Sequence, residues 1–354
     1  MTDATMTEHT SPLLLLGMHR SGTSALVNLL GDLQLRGPKD PLPAAPDNPD
    51  GYGESLSIIN ANNAILQARL GTWDAPPVVS SASDDEVQLT AQAFASAYDE
   101  VGHQPLVLKD PRICVLMPIW RAALGGGALK TIVLFRHPDR VVASLLHHNR
   151  GVSQLHAAVH ANALWERYNR AMVEGLVASD ELLICDFDAL VEDVAYRSAW
   201  LERLVGFLPA SLGHDLSHVS TAFLSRFATT TKVGSSSQSV ATPQQLRLYD
   251  ELRAMANSNV LAPLDTPETP GLQALFSFVH AAKVTVPSLE TALSAVEKSL
   301  EEQTKARNYV EGYSNGQQRR IEALDEQIAA MEQTLSWRVT KPLRSVQQRR
   351  RQGS

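Results

Sequence analysis

The stretch Leu13-Leu14-Leu15-Leu16-Gly17-Met18-His19-Arg20-Ser21-Gly22-Thr23-Ser24 constrains this chain more than any other. Four leucines held between a proline and a glycine read as a short strand buried on both faces, the habit of a parallel sheet. From Ser24 to Leu35 the spacing turns helical, with Leu26, Leu29, Leu30 and Leu33 on one side. Strand, glycine loop and helix together outline an anion site. Backbone N–H groups point into the loop, and the helix dipole adds positive potential. Gly22 serves the backbone geometry, and Ser21, Thr23 and Ser24 add hydroxyls.

Further short apolar runs at Pro105 to Lys109, Lys130 to Phe135 and Leu182 to Cys185 predict more buried strands. Helical patterns fall between them, at Glu54 to Leu70 and near 86–101, 112–124, 139–149 and 154–178. Strands alternating with helices predict an α/β fold: a P-loop-like three-layer domain on a parallel sheet with right-handed crossovers. The expected organisation is a disordered leader over 1–11, this domain over 12–280, a coiled-coil helix over 286–336 and a basic tail over 337–354. The loop 36–53 is dense in Pro, Gly, Asp and Asn. Residues 196–280 read as mostly helical, with a Ser/Thr-rich loop at Ala228–Thr242.

The spacing of Gly17 and Gly22 fits the triphosphate loop G-x-x-x-x-G-K-[ST], but Thr23 stands where that loop needs lysine, and the cation sits at Arg20. A second pattern, Phe135-Arg136-His137-Pro138-Asp139-Arg140 with Ser144, puts an arginine fork at a strand end and a hydroxyl on the next helix. That pair is a second phosphate clamp. Together the two describe a ligand with two separate phosphate groups. A net charge of −7 argues against nucleic acid as a partner. Cys114 and Cys185 lie in apolar runs and read as buried thiols.

On these residues the chain resembles the sulfotransferases that use 3′-phosphoadenylyl sulfate (PAPS). Gly17 to Ser24 is similar to their 5′-phosphosulfate loop, and Arg136 with Ser144 to their 3′-phosphate motif. The arginine form of the loop resembles the tyrosylprotein and carbohydrate branches and their bacterial relatives. The resemblance spans roughly 12–275. It implies that Arg20, Ser21, Gly22, Thr23 and Ser24 hold the 5′-phosphosulfate and that Arg136 and Ser144 hold the 3′-phosphate. It makes Glu54, after DNPDGY-G, the candidate base, with Asp110 as runner-up. Lys109 takes the strand end near the reacting sulfur, and no histidine follows it. In this scheme the carboxylate accepts the hydroxyl proton, while Arg20, Lys109 and the loop amides stabilise the leaving bisphosphate. No metal is expected.

Plainer alternatives stand beside these roles. Glu54 could be a helix-start acid, and Lys109, Asp110 and Arg112 a structural ion-pair cluster. Trp73 could line an acceptor pocket or simply pack. His156 and His160 have ligand spacing but lack a third ligand. The strand-end tyrosine usual in the family is replaced by Cys185-Asp186-Phe187-Asp188, and Lys232 and Gly234 are candidates to close over the nucleotide. A nucleotide kinase or NTPase, and a non-catalytic scaffold, remain alternative functions.

Toward the C-terminus, Leu289, Leu293, Val296, Leu300, Val310, Ile321, Leu324, Ile328, Met331 and Leu335 share one heptad register, interrupted by Gln303, Arg307, Ser314 and Gln317. Self-association through this seam is expected, with a single long helix folded back on the domain as the alternative. Arg338, Lys341, Arg344, Arg349, Arg350 and Arg351 predict contact with an anionic surface. Ser336 to Arg344 resembles a tail of bacterial cell-surface glycan glycosyltransferases, which implies a saccharide or glycolipid acceptor. The N-terminus has neither the positive region nor the apolar segment of a signal peptide. The expected location is cytoplasmic, with peripheral contact at the inner membrane.

Overall fold

The structure is a computed structural model that describes residues 12–45, 48–98, 105–148, 154–227, 239–281, 298, 301–305 and 318–331. The chain divides into two units, Met1–Ala281 and Ala282–Ser354.

The first unit is built on four parallel strands, β1 (Leu13–Leu16), β2 (Val107–Leu108), β3 (Lys130–Phe135) and β4 (Glu181–Asp186), in the order β2-β1-β3-β4. Leu13 pairs with Val107 and Lys130, and Lys130 with Glu181, so the strands start level and run together. Alternation across the pleat sorts the leucines. Leu14 and Leu16 face one apolar cluster, with Ile58, Ile65, Trp120, Trp165 and Leu252. Leu13 and Leu15 face the other, with Leu26, Leu30, Trp200, Leu204 and Phe223. The first face is covered by α2 (Leu56–Ala68), α4 (Met117–Ala123), α6 (Gln154–Glu174) and α10 (Pro243–Ser258); α3 (Asp84–Ala97) packs beside α2 and α4. The second is covered by α1 (Thr23–Asp32), α8 (Val194–Phe207) and α9 (Leu216–Phe227). Helices lie on both faces of a parallel sheet, as the alternation of elements predicts. Two short helices, α5 (Pro138–His148) and α7 (Phe187–Glu192), leave the ends of β3 and β4.

Two local expectations are corrected. Glu54 does not open a helix: Ser55 caps α2, its Oγ accepting from Ile58 N at 3.2 Å, and Glu54 precedes the cap in non-helical backbone. A serine satisfies the first-turn N–H groups better than glutamate does. The single helix expected near 112–124 is a 3-10 turn, Pro111–Val115, and then α4, because Asp110 caps the first and Pro118 sits in the first turn of the second. Both cysteines are free and buried, and burial pushes the Cys114 thiol up to about 12. Among the described residues no helix is long and apolar enough to cross a membrane.

The parallel strands put their C-terminal ends, and the loops after them, along one edge. Gly17, Lys109, Arg136 and Asp186 are the residues that stand there.

The start of α3 is locked to the end of α2. Ser83 and Glu86 form a capping box, and the Glu86 carboxylate takes Arg69 Nε at 2.6 Å and Nη2 at 2.7 Å. The Arg69 guanidinium holds the Glu86 carboxyl down from 4.5 to about 2. Its folded-state value is thus depressed, so the stabilisation is present at neutral pH and lost as pH falls through that interval. Glu86→Gln should lower stability near pH 7 by about 1–2 kcal/mol. Urea titrations should show the gap to wild type closing as pH drops from 4.5 toward about 2.

Candidate active site

The loop after β1 is set by what cannot fit in it. A Cβ on Gly17 would lie 2.5 Å from Leu134 O, and one on Gly22 2.5 Å from the Phe187 ring. Gly22 also has φ +94°, which L side chains rarely adopt. Arg20 is left-handed as well, at φ 66°, without a glycine's freedom. A non-glycine residue held there costs about 1–2 kcal/mol. α1 begins at Thr23 on Gly22, and no side chain caps its first turn. Its leading N–H groups are therefore open to an anion. Ser21 is fully buried, and its Oγ has no hydrogen-bond partner. An orphaned hydroxyl beside an uncapped helix start fits a phosphate or sulfate group. Thr23, at the position a triphosphate loop gives to lysine, is buried with its methyl packed toward Gly17.

The two motifs meet. Arg20 Nε donates to Ser144 Oγ at 2.9 Å across 124 residues of sequence. Arg136 Nη1 donates to Arg20 O at 3.4 Å, and Arg136 Nε to Asp188 Oδ1 at 3.0 Å. Asp188 also accepts from His137 N at 3.0 Å and lies 3.4 Å from Arg140 Nη1. Asp188 is thus the counter-ion of the arginine pair, a role the sequence reading missed. Its only sequence signal is an acid two residues beyond a strand end.

The departure at Cys185-Asp186-Phe187-Asp188 also has a structural answer. Tyr249 of α10 donates its hydroxyl to Asp186 Oδ2 at 2.9 Å, and Tyr196 of α8 accepts from Asp186 N at 2.9 Å. Phenols reach this strand end from later helices. Burial raises the Asp186 carboxyl above its ordinary value. Beside it opens a cavity of about 610 Å³, lined by His137, Arg140, Asp186, Asp188, Tyr249 and Arg253 among others.

Glu54 and Lys109 form a buried ion pair under the loop. Lys109 Nζ donates to Glu54 Oε1 at 2.5 Å and to Tyr52 O at 3.1 Å, and reaches Ser24 Oγ at 3.5 Å. Their side chains are 2% and 7% exposed. Arg112 Nη1 stands 3.8 Å from the other Glu54 oxygen. Burial raises the Glu54 carboxyl, with Lys109 pulling against it. Asp110 is engaged differently: it caps the 3-10 turn through Arg112 N at 2.8 Å and pairs with Arg112 Nη1 at 3.1 Å. Lys109, Asp110 and Arg112 therefore do form an ion-pair cluster, and Glu54 belongs to it.

His19 completes this side of the site and was not singled out from sequence. Its ring lies 4.8 Å from Trp73 and 5.8 Å from Tyr168, centre to centre. Its Nε2 is shielded from solvent and has no hydrogen-bond partner. Burial, and then the charges of Arg112, Lys109 and Arg20, hold it well below the ordinary histidine value, so the imidazole is neutral. Tyr168 Oη anchors the Trp73 loop by donating to Trp73 O at 2.6 Å. His160 Nε2 bonds Asp74 O at 2.5 Å, which ties it to the same loop. The side chain of His156, and both Lys232 and Gly234, lie outside the described residues. Among the described residues no group of three or more His, Cys, Asp or Glu side chains could hold a metal ion.

A family model described as "Sulfotransferase family" matches residues 12–209, more than half of the chain and all of the residues that form this site except Tyr249 and Arg253. No curated protein matches the chain.

The orphaned Ser21 hydroxyl yields a sharp expectation. A buried hydroxyl without a partner costs about 1–3 kcal/mol. Ser21→Ala should therefore leave the unliganded protein as stable as wild type or more so, read as its Tm. The same change should weaken binding of inorganic phosphate or sulfate at this loop by about tenfold. A lower Tm would mean that the hydroxyl serves the fold instead.

Proposed function

The chain belongs to the sulfotransferase family, and from that premise we propose that it transfers a sulfuryl group from PAPS to a hydroxyl of a saccharide or glycolipid, in the manner of the tyrosylprotein and carbohydrate branches. The observation that carries the reading is the meeting of the two phosphate motifs through Arg20 and Ser144. One continuous basic edge, with two places for phosphate, suits a nucleotide phosphorylated at both 3′ and 5′. The buried Thr23 offers no cation for a triphosphate.

Arg20, Ser21, Gly22, Thr23 and Ser24 would hold the 5′-phosphosulfate, and Arg136 and Ser144 the 3′-phosphate. Glu54 is the base. As the acceptor oxygen bonds to sulfur, its proton passes to the Glu54 carboxylate, and the bond from sulfur to the bisphosphate oxygen breaks. Lys109 lies within reach of both Glu54 and Ser24. It is placed to shift its charge toward the leaving oxygen as Glu54 is neutralised. Trp73 and the neutral His19 form an aromatic wall suited to the apolar face of a sugar ring. The basic tail would bring the enzyme to an anionic membrane surface on the cytoplasmic side.

The test is transfer of radiolabelled sulfur from PAPS to a panel of saccharides and glycolipids. Glu54→Gln should lower kcat by about 100- to 10,000-fold while changing bisphosphate affinity little. Because burial raises the Glu54 carboxyl, the acid limb of the wild-type kcat profile should lie above its ordinary 4.5. That limb should vanish in Glu54→Gln. Full activity in this variant would remove Glu54 from the role. Transfer only to tyrosine peptides would overturn the acceptor class.

A further inference from the structure

The second unit presents an apolar seam of its own. Residues 318–331 are helical, and all of them are exposed. Ile321, Leu324, Ile328 and Met331 stand 51–54% exposed along this helix. Their spacing of three, four and three places them at a, d, a and d of successive heptads. A stripe that narrow is a coiled-coil seam, not the broad face a helix turns toward a globular core. The same register carries Leu289, Leu293, Val296, Leu300, Val310 and Leu335 in the sequence. Gln303, Arg307, Ser314 and Gln317 interrupt it, so the seam consists of two apolar stretches, 289–300 and 321–335, on one register.

We propose that the occupant of this seam is a second copy of the same chain, lying parallel and in register, in a two-stranded coil. Two independent features select that partner. The first is side-chain shape. Within 318–331, β-branched Ile321 and Ile328 occupy a and Leu324 and Met331 occupy d, the combination that favours two parallel strands, whereas Leu293 and Leu300 at a with Val296 at d do not follow it. The second is flanking charge. Arg320 falls at g and Asp325 at the following e. In a parallel pair g faces the e of the partner, so Arg320 meets the partner's Asp325, and two-fold symmetry makes the contact twice. An antiparallel pair would set e against e. Of the e positions Gln318, Asp325 and Glu332, two are acidic and none is basic, so that arrangement offers no opposite charge across the e pairs.

The pairing is independent of the sulfuryl-transfer reading but bears on the membrane. Parallel strands bring both basic tails out at the same end, so two weak electrostatic contacts act as one bivalent contact.

Light scattering and sedimentation of the full chain test the proposal. The expected mass is twice 38.6 kDa. Ile321→Glu combined with Ile328→Glu should return it to 38.6 kDa with the Tm of the first unit unchanged, which separates lost pairing from misfolding. Arg320→Asp should weaken the dimer by about 3–10-fold, and adding Asp325→Arg should restore it. Leu324→Cys should form an interchain disulfide under a glutathione buffer, since parallel in-register strands put the two d positions side by side, while wild type, with Cys114 and Cys185 buried, should not. A monomer at every concentration overturns the pairing. A trimer overturns the two-stranded form. A dimer of Leu324→Cys that never cross-links, or a charge swap that fails to rescue, overturns the parallel register.

Discussion

A helix that starts on a left-handed glycine with no side-chain cap on its first turn is the constraint around which this site is organised. α1 ends its loop on Gly22 because a side chain there would enter the Phe187 ring. The open N–H groups then hold positive potential at the edge of the sheet. Arg20, Lys109, Arg112 and Arg136 all come to that same edge. Such a gathering of cations at a helix start is unfavourable by itself, and the fold offsets it with buried carboxylates. Glu54 pairs with Lys109, Asp110 with Arg112, and Asp188 with Arg136. The three carboxylates compensate the four cations only in part, which leaves the edge basic and holds its basic groups in fixed positions. An arriving polyanion meets an arrangement already built for it.

The unfavourable features of the fold gather in the same few residues. Arg20 holds a left-handed backbone, Ser21 buries an unpaired hydroxyl, and His19 buries an unpaired ring nitrogen. Three such features in consecutive residues are unusual for a purely structural loop, because buried polar atoms in folded proteins nearly always find partners. They are consistent with a loop whose missing partners belong to a ligand.

Much of this was legible in the sequence, for identifiable reasons. Strands β1, β3 and β4 show as short apolar runs because both faces of a parallel sheet are buried, and Gly17 to Ser24 shows because strand, loop and helix must follow in order. What was not legible depended on contacts between distant segments. Asp188 gains its role only when β4 lies beside β3 and brings it to Arg136. His19 carried no reading of its own in the sequence, and only the packing of Trp73 and Tyr168 shields its ring nitrogen and keeps it neutral. Tyr249 comes from 63 residues beyond Asp186 to serve a strand end that lacks its own tyrosine. Glu54 was placed at a helix start by composition, where local capping chemistry favoured Ser55. The heptad register was visible at both ends of 289–335 with a broken middle, and self-association was expected from it; the exposed stripe on 318–331 adds the strand number and direction.

The central claim is that the loop after β1 and Arg136 at the end of β3 grip one nucleotide by two separate phosphates. Calorimetric titration with adenosine 3′,5′-bisphosphate, against ATP with Mg²⁺, on wild type and Arg136→Ala tests it most directly. The account predicts tight binding of the bisphosphate, weak binding of ATP, and a loss of at least about tenfold in bisphosphate affinity in the variant. Preference for ATP with Mg²⁺, or equal bisphosphate affinity in the two proteins, would contradict it.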